Sequence, residues 1–435
     1  MFEMAVFAQR RHAVMERLGP NAVLLVASLP ERLRTGDAFY AFRQHSDVLY
    51  LTGFGEPQCV AMLRPGAATE RFVMFVRPRD PEMETWDGRR AGIEGAQTHY
   101  GAEVAYPISE LPSKLADLIA NIDELHFALG LDDKLDQLLT STVAALRGRE
   151  KRGQRSPRAI VDPRYSLHEL RLRKQPEEIA ALQRAATISA AAHVAAMKLG
   201  RPGCNEYEID AVLSYEFRRN GATGPGYTSI VGSGVNATIL HYVENHAAIA
   251  DGDLVLVDAG AEVAGYTADI TRTWPANGRF SPLQRRAYEL VLAVQKSAIE
   301  LVRPGATIEQ LHHHCIAGLT AAMIELGLLH GTVEERIADH SYRKFYMHGT
   351  SHWLGLDVHD AGPYLVDAKV RPLEAGMVIT VEPGLYVGVG VGAPVELQGL
   401  GIRIEDDILV TVTGHLNLTA ACPKEVVELE AICQR

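Results

Sequence analysis

The sequence predicts an α/β domain followed by a second domain of helices and strands, with residues 1–172 in the first and 173–435 in the second. Three observations carry this. Short apolar runs alternate with helical patterns over the first third of the chain. Capped helices then crowd residues 166–340, with strand-like runs around and after them. Finally, one short segment occurs twice in the second part, which points to two related half-domains. A length of 435 residues suits two or three domains at roughly 150 residues each.

The elements follow in order. The N-terminal stretch MFEMAVFAQRRHAVMERLG has no continuous apolar core, so it is expected to form an amphipathic helix and not a signal peptide. Nor does an apolar stretch follow Arg10-Arg11, as a twin-arginine signal would need. Ala22–Ser28 and Asp47–Thr52 read as strands. Cys59–Leu63 and Arg71–Val76 flank a Pro-Gly segment and read as a strand pair. Leu111–Ile119 is helical, Glu124–Leu129 strand-like and Leu135–Leu146 helical. Gly148–Arg158 is a charged loop. Pro176 fits the first turn of a helix running through Met197, with Glu177 and Glu178 at its positive end. Asn205, Ser281 and Thr307 each precede Glu or Gln by three residues, a pattern that starts helices. Thr228–Gly232, Thr238–Tyr242, Leu254–Val257, Val378–Val381 and Ile402–Val410 read as strands.

The repeat pairs Gly252-Asp-Leu-Val-Leu-Val-Asp258-Ala-Gly260 with Gly376-Met-Val-Ile-Thr-Val-Glu382-Pro-Gly384. In each copy an acid stands six residues after the first glycine, at the end of an apolar run.

Composition narrows the function classes. Hydrophobic residues make up 47% and charged residues 22%, as in a soluble globular protein. The net charge of −11 argues against a nucleic-acid partner. No run of apolar residues is long enough to span a membrane. The five cysteines are widely spaced, without a CxxC, so reduced thiols in a cytoplasmic setting are expected rather than a disulfide framework or thiolate zinc site.

A carboxylate beside a buried apolar strand needs a partner, because leaving it unpaired costs several kcal/mol. For Asp258 or Glu382 alone, a salt bridge, a helix cap or a solvated strand end would serve. Further acids shift the balance. Asp269 lies eleven residues after Asp258 and would face it across a hairpin. Glu405 stands among Ile402, Ile404 and Ile408. His352 lies in a Gly-interrupted segment with His348. Oxygen-rich ligation with one imidazole suits manganese, or cobalt or zinc, better than copper. Four carboxylates balance two divalent ions in charge. Coordination brings the pKa of water from about 16 to about 7, which makes hydroxide roughly 12 kcal/mol easier to form.

These segments resemble a known family. Ile239-Leu-His241-Tyr242, Val257-Asp258-Ala-Gly260, Ala268-Asp269-Ile-Thr-Arg-Thr, His348-Gly-Thr-Ser-His352-Trp-Leu-Gly-Leu-Asp-Val-His359-Asp360, Val381-Glu382-Pro-Gly-Leu-Tyr386 and Gly401-Ile-Arg403-Ile-Glu405-Asp-Asp are similar to the pita-bread metallopeptidases, most closely the bacterial Xaa-Pro aminopeptidases (aminopeptidase P). Tyr40-Ala-Phe-Arg43-Gln-His-Ser-Asp47, Tyr50-Leu-Thr-Gly-Phe and Thr85-Trp86-Asp-Gly-Arg-Arg90 extend the likeness into the first third.

The resemblance implies a creatinase-like α/β N-terminal domain and an α+β pita-bread catalytic domain with a pseudo-twofold repeat. It implies that Asp258 binds one metal, that Asp269 and Glu405 bridge two, and that His352 and Glu382 bind the other, most simply manganese ions. Glu382 would also shuttle a proton. His241 and His359 would line the scissile bond and stabilise the intermediate. His348 would stand behind the ligands, and Tyr386 and Arg403 would orient ligands or substrate. Asp37 and Trp86 would come from the N-terminal domain to help close the pocket. The implied substrate is a peptide with an Xaa-Pro N-terminus, and the implied assembly a homo-oligomer, dimer or tetramer.

Blander readings exist. His241 would be an ordinary sheet histidine, His359 a structural partner of Asp360, and Asp37 and Trp86 packing residues. Val243 and His246 depart from the polar or acidic residues expected after His-Tyr. The tract His312-His313-His314 suggests a metal site, but three consecutive residues point three ways around a helix. A prolidase and a metal-free pita-bread relative are the alternative functions.

Overall fold

The computed structural model describes residues 2–434, which divide into two compact units, one through Arg171 and one from Leu172 onward. In the N-terminal unit a six-stranded mixed sheet runs, edge to edge, Val104–Pro107, Phe72–Val76, Val60–Leu63, Ala22–Ala27, Glu124–His126 and Ala159–Val161. The two central pairings that join Ala22–Ala27, Val60–Leu63 and Phe72–Val76 are antiparallel, and the outer ones are parallel. Val23, Leu25, Met62 and Phe75 pack against Leu115, Ile119, Leu139 and Val143, which lie on the helices Leu111–Ile119 and Asp133–Arg147. The N-terminal helix is Met4–Leu18.

One expected strand is a helix. Ser46–Thr52 is α-helical, opened by the His45 side chain accepting from the Asp47 amide and closed by Gly53 in the left-handed region. A short apolar run does not distinguish the two forms by periodicity. Here the deciding contact is tertiary: buried Asp47 accepts from Arg171 Nη1 at 2.7 Å. The strand expected over Glu124–Leu129 is shorter, Glu124–His126.

The C-terminal unit opens on the helix Pro176–Leu199, where Glu178 closes a capping box on the Gln175 amide at 2.9 Å. Asn205, Ser281 and Thr307 likewise begin the helices Glu206–Arg219, Pro282–Glu300 and Ile308–Glu325. The two repeat segments build matching antiparallel ladders. Leu254–Asp258 lies between Ile230–Ser233 and Thr271–Pro275. Val378–Val381 pairs with Asp406–Val410. Asp258 stands opposite Thr271, two residues after Asp269. Val381 stands opposite Asp406, one after Glu405. Each ladder therefore brings two acids to one end. The leading glycines repeat in conformation too: Gly252 has φ +87° and Gly376 φ +90°, a backbone turn into the strand that a side chain would strain. Val255, Val257, Ile379, Val381, Ile402 and Ile408 are all buried in one core.

Two further expectations change. Thr238–Tyr242 is not a strand. A short 3₁₀ turn covers Gly234–Thr238, and the chain beyond it is irregular. The run Ile402–Val410 divides into Leu400–Arg403 and Asp406–Val410, which pair in different sheets. Glu405 sits at that break, so its side chain is freed from the strict alternation of a strand.

Candidate active site

The two ladders and the loops around them line a cavity of about 310 Å³. Asp258, Asp269, His352, Glu382 and Glu405 all face it, as do His241, His348, His359 and Arg403. Tyr386 is buried behind this wall. Asp37 and Trp86 belong to the N-terminal unit. Asp37 is exposed in the turn between the short strands Leu33–Thr35 and Ala38–Phe39, and Trp86 is 81% exposed on the helix Pro81–Asp87.

Strand ends and hydrogen bonds fix each carboxylate. Tyr227 places its hydroxyl 2.6 Å from both Asp258 Oδ1 and Asp269 Oδ1. Asp258 Oδ2 accepts from Arg403 Nη2 at 2.7 Å. Asp269 Oδ2 lies 3.3 Å from His352 Nε2. The Thr271 hydroxyl donates to Glu405 Oε2 at 2.6 Å, and the Thr380 hydroxyl to Glu382 Oε1 at 3.3 Å. His352 Nδ1 lies 3.0 Å from the Trp353 carbonyl. If that nitrogen carries the proton, Nε2 turns its lone pair to the acids, as metal-binding histidines do.

Behind them runs an oriented chain. Arg403 Nη1 donates to the Tyr386 hydroxyl at 3.0 Å. Tyr386 lies 2.8 Å from His348 Nε2, and His348 Nδ1 lies 2.7 Å from the Gly349 carbonyl. A carbonyl only accepts, so the proton of His348 belongs on Nδ1 and Tyr386 donates to Nε2. Burial, then the Arg403 charge, pushes His348 down to about 3, which keeps the ring neutral.

The electrostatics state the need for a cation. Burial, then the neighbouring Asp258 charge, raises Asp269 from its ordinary value. Burial, then Asp269, raises Glu405 well above it. Burial pushes Glu382 up to about 7, against the pull of His352. Burial alone would lower His352, but the hydrogen bond it donates to Asp269 and the charges of Glu382 and Asp269 bring it up to about 9. Among the described residues, arginine forms an ion pair with one of the four acids, Asp258. Glu405 Oε1 is buried with no hydrogen-bond partner among the described residues. Ligand atoms of Asp269, His352 and Glu405 lie within 4.8 Å of one another. An orphaned oxygen, crowded acids and one imidazole fit divalent metal ions.

The histidine tract behaves otherwise. His312 lies 2.9 Å from the Thr350 hydroxyl and His314 lies 2.7 Å from Ser297, so the residues diverge around their helix. His241 is on an irregular loop, not in a sheet. His359 packs edge-on to His352, with ring centroids 4.3 Å apart. Sequence reasoning missed Tyr227, Thr271 and Thr380. Thr271 lay inside a quoted motif, but Tyr227 carries no local signal, since its partners are 31 and 42 residues away.

The N-terminal segment 7–126 matches the aminopeptidase P N-terminal domain, and residues 180–412 match metallopeptidase family M24. An Xaa-Pro aminopeptidase of Escherichia coli K12 is 44% identical, across 98% of this chain and 97% of that protein. The solved Pseudomonas aeruginosa aminopeptidase PepP superposes with a TM-score of 0.97 at 45% identity, covering 99% of this chain and 98% of that one. A zinc-substituted E. coli aminopeptidase P in complex with product gives 0.96 at 43% identity, over 99% and 98%. The fold is therefore the α/β domain plus pita-bread domain that the motifs implied. With both domains matched over nearly the whole length, the chain belongs to metallopeptidase family M24 and, within it, to the Xaa-Pro aminopeptidases.

Proposed function

We propose that this cavity removes the first residue from peptides with proline in second place, and that Asp258 would hold one divalent ion, His352 and Glu382 would hold a second, and Asp269 and Glu405 would serve both. The observation that carries the reading is the buried, unpartnered Glu405 Oε1 amid acids pushed up in pKa. Bound divalent cations supply Lewis acidity and bring the pKa of water from about 16 towards about 7.

The chain's own groups do the rest. Glu382 takes a proton from the attacking water and passes it to the proline nitrogen as the scissile bond breaks. His241 and His359 flank the carbonyl and donate to the negative charge that develops on its oxygen. Arg403 is held by Asp258, Thr271 and Tyr386, so its charge is fixed before substrate arrives. Tyr386 and His348 keep it there. Asp37 and Trp86 belong to the same reading as substrate-binding residues, supported by their exposure, and a raised KM in Trp86→Ala tests it.

Manganese is the proposed metal, on the oxygen-rich donor set with one imidazole. The unpaired cysteines support a reducing cytoplasmic setting, and family resemblance supports a dimer or tetramer. The deciding assay offers the manganese-loaded enzyme an Xaa-Pro-Yaa tripeptide and an Xaa-Pro dipeptide. Release of Xaa from the tripeptide is expected. Cleavage of the dipeptide alone would make the enzyme a prolidase and overturn the reading.

A further inference from the structure

We propose that Glu206 is a positioning residue for His241, fastening both ends of the loop that carries His241 to the cavity. The inference rests on the assignment of His241 as a substrate-binding residue.

Glu206 is the first residue of the helix Glu206–Arg219 and is fully buried. Its carboxylate accepts five hydrogen bonds. Oε1 takes the Ser233 amide at 2.8 Å, the Ser233 hydroxyl at 2.8 Å and Asn236 Nδ2 at 3.1 Å. Oε2 takes the Tyr242 hydroxyl at 2.9 Å and the Ala247 amide at 2.9 Å. The Glu206 amide in turn donates to the Ala247 carbonyl at 3.0 Å. Residues 233–247 thus begin and end on one side chain. Leu240 and His241, from the middle of that segment, line the cavity.

The His241 side chain makes no hydrogen bond among the described residues, so its backbone sets its place. The next residue, Tyr242, reaches Glu206 directly. Asn245 adds a further polar tie, accepting from the Val231 amide and donating to the Ser229 carbonyl. All five donors to Glu206 are neutral.

The chemistry requires two acceptor oxygens. Each carboxylate oxygen holds a main-chain N–H, one at Ser233 and one at Ala247. Glutamine at this position, in either amide orientation, sets an NH₂ against one of these N–H groups. The same shape then pushes off one end of the loop.

The test is a double-mutant cycle of Glu206→Gln and Tyr242→Phe, each with His241→Ala, in the metal-loaded enzyme on an Xaa-Pro-Yaa tripeptide, with metal content measured alongside. Glu206→Gln is expected to lower kcat/KM roughly 30-fold and Tyr242→Phe several-fold, each loss shrinking to under about twofold in the His241→Ala background, with metal content unchanged. A merely structural role would give the same fold-loss in both backgrounds and overturns the proposal. Full activity of Glu206→Gln beside an impaired His241→Ala overturns it while leaving the site assignment standing. A fully active His241→Ala refutes that assignment and the proposal with it. If Glu206→Gln does not fold, the Tyr242→Phe cycle decides between the same outcomes.

Discussion

The hydroxyl of Thr271 donates to Oε2 of Glu405 across 2.6 Å, which leaves Oε1 as the free oxygen of a buried carboxylate. Thr271 also accepts from Arg403 Nε at 3.0 Å, so one hydroxyl sets the orientation of both. Thr271→Val keeps the shape and removes the hydrogen bonds. It is expected to weaken metal affinity about 10- to 100-fold, as loss of a ligand's supporting partner does. Titration against a competing chelator measures this, and wild-type affinity would contradict it.

Metal removal makes stability pH-dependent in a set direction. In the metal-free fold the carboxyls of Asp269, Glu382 and Glu405 are raised from their ordinary values, Glu382 to about 7. A group raised on folding stabilises the fold while protonated, and that contribution is lost as pH rises through its folded pKa. The metal-free enzyme should therefore lose Tm between about pH 5 and about pH 8, while the loaded enzyme stays flatter. Loading at neutral pH should release protons, readable with a dye in weak buffer. A metal-free Tm that rises over this range would contradict the electrostatics.

Tyr386 connects Arg403 to His348. Tyr386→Phe leaves two buried partners short of a hydrogen bond, which costs about 1–3 kcal/mol for each unsatisfied group. The expected result is a kcat at least about tenfold lower with metal content intact. Loss of metal instead would place Tyr386 among the metal's supports.

In the N-terminal unit, Asp47→Asn removes the charge that faces Arg171 at 2.7 Å, where Arg171 is 3% exposed. Breaking a buried pair of this kind costs about 3–5 kcal/mol. Burial works to raise Asp47, but His168 and Arg171 hold it below the carboxylate range. The stabilisation is therefore present at neutral pH and lost as pH falls below about 4. Thermal unfolding of the variant against wild type at both pH values checks the sign: the gap should narrow in acid.

The acids were legible in the sequence because each stood where an apolar run left it no plausible solvent. The helices Glu206–Arg219, Pro282–Glu300 and Ile308–Glu325 were legible from their caps. What failed was decided at long range. Ser46–Thr52 is helical with its acid tied to Arg171, 124 residues away. Thr238–Tyr242 has strand-like residues but is held as a loop by Glu206 and Asn245. The single strand expected over Ile402–Val410 breaks at Glu405, where the chain passes between two sheets. Tyr227 could not be found locally, since a tyrosine becomes a carboxylate bridge only once two distant strands meet.

Divalent ions bound among these buried acids would make their clustered charge tolerable. The most direct measurement is metal content and activity of the same sample, chelated and then reloaded with manganese, zinc or cobalt. Roughly two equivalents per chain are expected in the reloaded enzyme, with tripeptide cleavage that is lost on chelation and restored on reloading, and neither in a Glu405→Gln variant. Full activity without bound transition metal would contradict this.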